Sequence, residues 1–223
     1  MTFPNGYHGV KKVFTAEILN LIASALMILA GVAGIVALGK AVADSADSAT
    51  TALAGTGLFT IIAGILVIIA FIMRLVGLHQ AGKEDDSFRT AFLIAIFALI
   101  LAVVSAVLSG IFGENSAIDD IVTLVRNISN IVVIFLVIIG IQTFAVKLNH
   151  EKLISRGNTI AWIIICPNIL AAIASLIIVF FGANSTTTSI AGITTIVSGI
   201  LSIIGSILFL VYLGSGKKML KNN

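Results

Sequence analysis

The chain has 223 residues, of which 59% are hydrophobic and 10% charged, and its formal net charge is +3. Soluble domains are about one-quarter charged. So few charges leave too little polar surface to face water, and the mean hydropathy of +1.17 excludes an ordinary soluble globular protein.

A helix needs roughly 20 apolar residues to cross about 30 Å of hydrocarbon. Six runs meet that length: Thr15–Leu38, Leu58–Leu78, Thr90–Phe112, Ile121–Val146, Thr159–Phe181 and Ile190–Leu213. Barrel strands alternate apolar and polar residues over about ten positions. These runs are apolar on every side, so they are predicted helices, and the fold class expected is an all-α integral membrane protein with six transmembrane helices.

The first run follows His8, Lys11 and Lys12 and precedes "AVAD" (41–44), a pattern that imitates a secretory signal. Its apolar stretch exceeds the roughly 7–15 residues of a signal core, so the helix is expected to be retained. A loop of small and hydroxylated residues, 40–56, leads to the second run, which contains Arg74. Sixteen apolar residues, 58–73, precede that arginine. At about 1.5 Å per residue its Cα lies roughly 24 Å across, within reach of water for a snorkelling side chain. Glu17, the one acid in the first run, sits at a similar depth. The two are expected to form a structural interhelical ion pair.

"GKEDDSFR" (82–89) is read as a solvated turn, with no specific role for Glu84, Asp85 and Asp86. "SAID" (116–119) fits a capping box, which starts helix 4 at Ser116, beyond the membrane. In helix 5, "IICPNIL" (164–170) combines Pro167, which removes a backbone hydrogen bond, with Asn168, which can satisfy a freed carbonyl. A structural kink is favoured there over a substrate-binding break. Cys166, the single cysteine, excludes an internal disulfide and a cysteine-based metal site, and is read as a small buried thiol. Helix 6 carries Gly192, Thr195, Gly199, Ser202 and Ser206, and helix 2 carries Gly57, Gly64 and Ala70. Small residues allow close helix contact in lipid, so these stripes are read as packing faces rather than a polar path.

Of the 13 Lys and Arg, 11 fall on one side of the six spans, and only Lys40 and Arg126 fall on the other. The positive-inside rule places both termini in the cytoplasm. Topology thus explains the basic pI of about 9.2, and no nucleic-acid partner is implied.

Residues 57–83 and 192–218 align without a gap and match at 13 of 27 positions. "VIIGIQTFAVK" (137–147) echoes "RLVGLHQAGK" (74–83). The chain therefore reads as one domain, 1–223, of three tandem two-helix hairpins, approximately 9–83, 84–152 and 153–223. Mitochondrial carriers also have three two-helix units, but this chain has only Pro4 and Pro167 and lacks their proline-plus-charge signature, so no family follows from the architecture.

No nucleophile with a base, paired acids or metal-ligand cluster marks the spans, so catalysis, cofactors and metals are not expected. Nor does the central third of any span hold the carboxylates or histidines of a proton-coupled pump. The expectation is a non-catalytic structural, accessory or interaction subunit of a plasma membrane, bacterial in origin, whose partners are the bilayer and a protein or second copy. The alternative is a small channel, a transporter or a substrate-binding subunit. In size, helix count and cytoplasmic termini alone the chain is similar to vitamin-uptake S-components. A polar cavity lined by Asn130, Gln142, Asn168 or Thr195 distinguishes that alternative.

Overall fold

The six apolar periods become six helices in the computed structural model: α1 (Pro4–Ala43), α2 (Ala46–Ala81), α3 (Asp86–Phe112), α4 (Ser116–Lys147), α5 (Glu151–Phe181) and α6 (Ser185–Lys221). The structure describes the backbone of residues 2–43, 46–112, 116–181 and 185–222. It describes side chains there except at 35–56, 108–121, 123–124, 167–168, 170–200 and 202. No strand occurs among the described residues. Within them, α1, α2, α3, α4 and α6 each contain a segment long and apolar enough to cross a membrane. The fifth expected span, 159–181, falls largely on residues whose side chains lie outside the description.

The helices outrun the expected spans. α1 begins at Pro4 and has 40 residues. The segment 40–56, expected as a loop, instead finishes α1 and opens α2 at Ala46. Its alanines (Ala46, Ala49, Ala52 and Ala54) are strong helix formers, which explains why the helix continues where apolar character fades. Composition also misplaces the ends of α5 and α6, which run from Glu151 and to Lys221, where Glu, Lys, Arg, Leu and Met favour helix without forming an apolar run. α4 opens at Ser116, the position of the capping signal.

The chain divides into two compact units, residues 12–76 and residues 1–11 with 77–223. In the first, α1 buries Ala16, Ala23 and Ala30, and α2 buries Ala63 and Ala70. These residues recur every seventh position, the spacing that keeps one face of a helix on its neighbour through a left-handed supercoil. The faces turned away are large and apolar, including Ile28, Leu29, Ile61 and Ile68.

Of the expected stripe of α2, Ala70 lies on this line, whereas Gly57 and Gly64 lie off it. A Cβ added at Gly57 or Gly64 would meet nothing within 4 Å, so the close approach expected of them is not made among the described residues. One residue on a helix is about 100° of rotation, enough to move Gly64 from the seam to the outside while Ala63 is buried. In α6, Ser206 is exposed, whereas the adjacent Gly205 places its missing Cβ 3.3 Å from Ile164 of α5. The side chains of Thr195 and Ser202, and the surroundings of Gly192 and Gly199, lie outside the described residues, as do Pro167 and Asn168. Cys166 is exposed rather than buried, because it turns away from the α5 face that buries Ile160, Ala161 and Ile164.

In the second unit, three helix crossings involve glycine. A Cβ at Gly9 of α1 would lie 2.5 Å from the Gly77 carbonyl oxygen and the Ala81 nitrogen of α2. One at Gly140 of α4 would overlap the Phe88 ring of α3. One at Gly157 of α5 would lie 2.7 Å from the Tyr212 hydroxyl of α6. Gly9→Ala forces backbone against backbone and should cost about 1–3 kcal/mol. Gly64→Ala, in open space, should be neutral or stabilising by up to about 1 kcal/mol through helix propensity. Thermal melts of the two variants in one detergent check this, and equal losses would refute the assigned seam.

Candidate functional site

Charge is spent at two places in the described residues. The first is in unit 12–76. Arg74 of α2 and Glu17 of α1 approach to 3.7 Å between Nε and Oε1, with side chains 14% and 16% exposed. That distance is ionic contact, longer than a hydrogen bond. Ala16 and Ala70, the small neighbours of this pair on the seam, are fully buried, so the helices are close enough for the two long side chains to meet. Because α1 and α2 run antiparallel, residues near the start of one and the end of the other share a level.

The second place is the end of the other unit where the turns gather. The first turn of any helix has four N–H groups without an intrahelical acceptor. In α1 all four are accounted for. Pro4 has no N–H, a usual choice for a first helical position. Asn5 donates to Glu84 Oε1 at 2.9 Å and Gly6 to Glu84 Oε2 at 2.7 Å, and Tyr7 donates to the Phe3 carbonyl at 2.9 Å. The carboxylate also opposes the positive end of the helix dipole. Asp85 is 9% exposed, and its Oδ1 accepts the Ser87 N–H at 2.9 Å, capping α3. The acidic turn is thus not a merely solvated one: Glu84 fastens α1 to it, and Asp85 starts α3. Sequence reasoning missed Glu84 because its partners are backbone groups 78 and 79 positions away.

Phe144 joins these elements. Its ring stacks on Phe88 at 5.8 Å and packs against Phe3 at 5.0 Å. Lys147 Nζ stands 5.7 Å from the Phe3 ring and 5.9 Å from the Phe144 ring, within cation–π range. After α4 the chain reverses through Asn149, whose φ of 56° is the left-handed conformation that asparagine tolerates. The His150 N–H closes the turn on the Ala145 carbonyl at 2.8 Å.

Gln142 then ties α4 to α5. Its Nε2 donates at 2.9 Å to both the Ile154 carbonyl and Asn158 Oδ1. The Tyr212 hydroxyl, from α6, donates to the Ile138 carbonyl at 3.4 Å. The Gln142 amide is therefore engaged in joining helices. Asn130 is exposed on α4, and the side chains of Asn168 and Thr195 lie outside the described residues.

Two clefts open at this end. One, about 510 Å³, is lined by His79, Lys83, Asp86, Arg89 and Phe92 among others. The second, about 320 Å³, lies between the start of α5 and the end of α6. Among the described residues no three His, Cys, Asp or Glu side chains are grouped to hold a metal ion.

Comparison with family models, with curated proteins and with solved structures gives no match.

The geometry of Glu17 and Arg74 makes a specific thermodynamic forecast. Each of Glu17→Gln and Arg74→Gln should lose about 1–3 kcal/mol, less than a fully buried pair because both side chains are partly exposed. The double variant should lose less than the sum, since no lone charge is left behind. Melts of the three variants in detergent give the coupling, and simple additivity would show that the two charges do not interact.

Proposed function

We propose that the chain is a multi-pass integral protein of a plasma membrane, bacterial in origin, built from three tandem hairpins with both termini in the cytoplasm. Its role is that of a non-catalytic structural, accessory or interaction subunit working with the bilayer and a protein partner or second copy. The distribution of side chains carries this reading. Large apolar residues are exposed along α1, α2 and α3, among them Met27, Ile65, Phe97 and Val107, while alanine and glycine line the seams. The polar side chains described in the helix-joining end bond helix to helix.

The hairpin reading draws support from the three glycine crossings. Gly77 and Gly140 align in the repeat, and Tyr212 is the position of α6 that aligns with Gly77. All three are the even-helix side of a tight crossing with the odd helix. The start of α1 meets the 82–85 turn through Glu84 on Asn5 and Gly6, and the end of α4 through Phe3 on Phe144, in keeping with an even number of crossings. The outward face of α2 around Gly57 and Gly64 is the natural contact for a partner helix, because small residues there admit a close neighbour.

Two measurements test the proposal. Cysteines placed at Ser48, Ser116 and Thr187 should react with an impermeant thiol reagent added to intact cells, and cysteines at Ser87 and Ser155 only after lysis. Labelling of Ser87 in sealed cells would reverse the orientation. The purified chain in proteoliposomes should leave the flux of ions and small solutes at the level of empty vesicles. A saturable flux abolished by substitution of Gln142 or Asn168 would replace the accessory role with that of a channel or transporter.

A further inference from the structure

The cleft between α5 and α6 differs in charge from the one between α2 and α3. Lys152 and Arg156 of α5 and Lys218 of α6 line it, with His150 beside them, and no carboxylate does. Glu151, the nearest acid in sequence, is exposed and outside the lining. Among the described residues none of the three cations makes an ion pair. The larger cleft between α2 and α3 is different: Lys83 and Arg89 share its wall with the carboxylate of Asp86, which offsets part of their charge.

Like charges on facing helices repel unless an anion sits between them, and the described lining of this cleft supplies none. The Asn222 amide adds a hydrogen-bond donor to the wall. The Ser215 hydroxyl is directed to the Val211 carbonyl at 3.0 Å, which leaves its oxygen as an acceptor. Leu153 and Met219, 7% and 6% exposed, form an apolar floor. The volume falls at the lower end of ligand-sized pockets, roughly 300–1,000 Å³.

We propose that this cleft binds a phosphate-bearing anion, with Arg156 as the bidentate ligand and Lys152 and Lys218 as flanking charges. The group has two sources, a phospholipid headgroup or a free phosphate compound. The surroundings favour the headgroup. Trp162, six positions along α5 from Arg156, is 67% exposed, and Val211, seven positions before Lys218 on α6, is 60% exposed. Val211 shares the face of Lys218, so the cleft opens next to apolar surface on α6, where acyl chains can lie below a bound phosphate, and Trp162 stands further along α5 on another face. Basic pockets between membrane helices bind anionic headgroups by this combination. The site is independent of whether the chain is an accessory subunit or a conduit.

The test uses the full chain in a neutral detergent, titrated separately with phosphatidylglycerol in mixed micelles, phosphatidylcholine in mixed micelles, and inorganic phosphate, with binding read from tryptophan emission and native mass spectrometry. The double variant Arg156→Gln/Lys218→Gln should raise the Kd for phosphatidylglycerol by about tenfold or more. The control pair Lys83→Gln/Arg89→Gln removes equal charge at the cleft that holds Asp86 and should change it by less than about twofold. Arg156→Lys keeps the charge without the planar fork and should fall between them. All four side chains are exposed, so the variants should fold, which melts will verify. Inorganic phosphate binding with the same variant pattern would assign the cleft to a soluble anion. Equal weakening by both pairs, or equal affinity for phosphatidylcholine, would overturn the site.

Discussion

Contact between helix backbones, made possible by glycine and alanine, is the constraint on which the rest of this protein depends. A chain with this much apolar surface gains little by pressing one large aliphatic side chain against another when the surroundings are equally apolar. What distinguishes the right neighbour is how near it comes. Gly9 against Gly77, Gly140 beneath Phe88 and Gly157 beside Tyr212 set that distance, and Ala16, Ala23 and Ala30 extend it along α1. Once the helices are this close, weak dispersion contacts accumulate along their length.

Closeness then makes a few polar groups effective. Glu84 reaches the first turn of α1 where α1 and the end of α2 meet at Gly9, and a longer separation would leave those N–H groups to water. Gln142 bridges to two acceptors on α5 beside Gly157, whose missing side chain leaves room for the amide. Packing and hydrogen bonding are thus coupled: each glycine admits the polar contact beside it.

This coupling explains what sequence could and could not reveal. The number of helices was legible because a run of apolar residues is a local property, and charge at the two ends of each run located the turns at 82–85 and 148–150. Glu17 and Arg74 stood out because each breaks an apolar run at a comparable depth, and the two lie 3.7 Å apart. Helix faces were harder to read. Every helix here is apolar all round, so periodicity gives no contrast, and counting small residues selected Gly57 and Gly64 together with Ala70, while the buried line ran through Ala63 and Ala70. Cys166 was misplaced for the same reason. The task given to Glu84 was invisible, since its partners are main-chain groups that carry no residue identity. Helix ends were hidden where small residues such as those of 46–56 sustain a helix without being apolar.

Trp162 carries a consequence of another kind. It is the single tryptophan of the chain, and it stands mostly exposed on α5, six residues from Arg156. An indole on an outer face has its absorption and emission set by the medium around it rather than by a packed interior. The protein thus contains one optical reporter, fixed on a rigid helix at a known distance along the chain from a ring of uncompensated positive charge. Its spectrum reads the polarity of the medium around α5 at that level without any label being introduced.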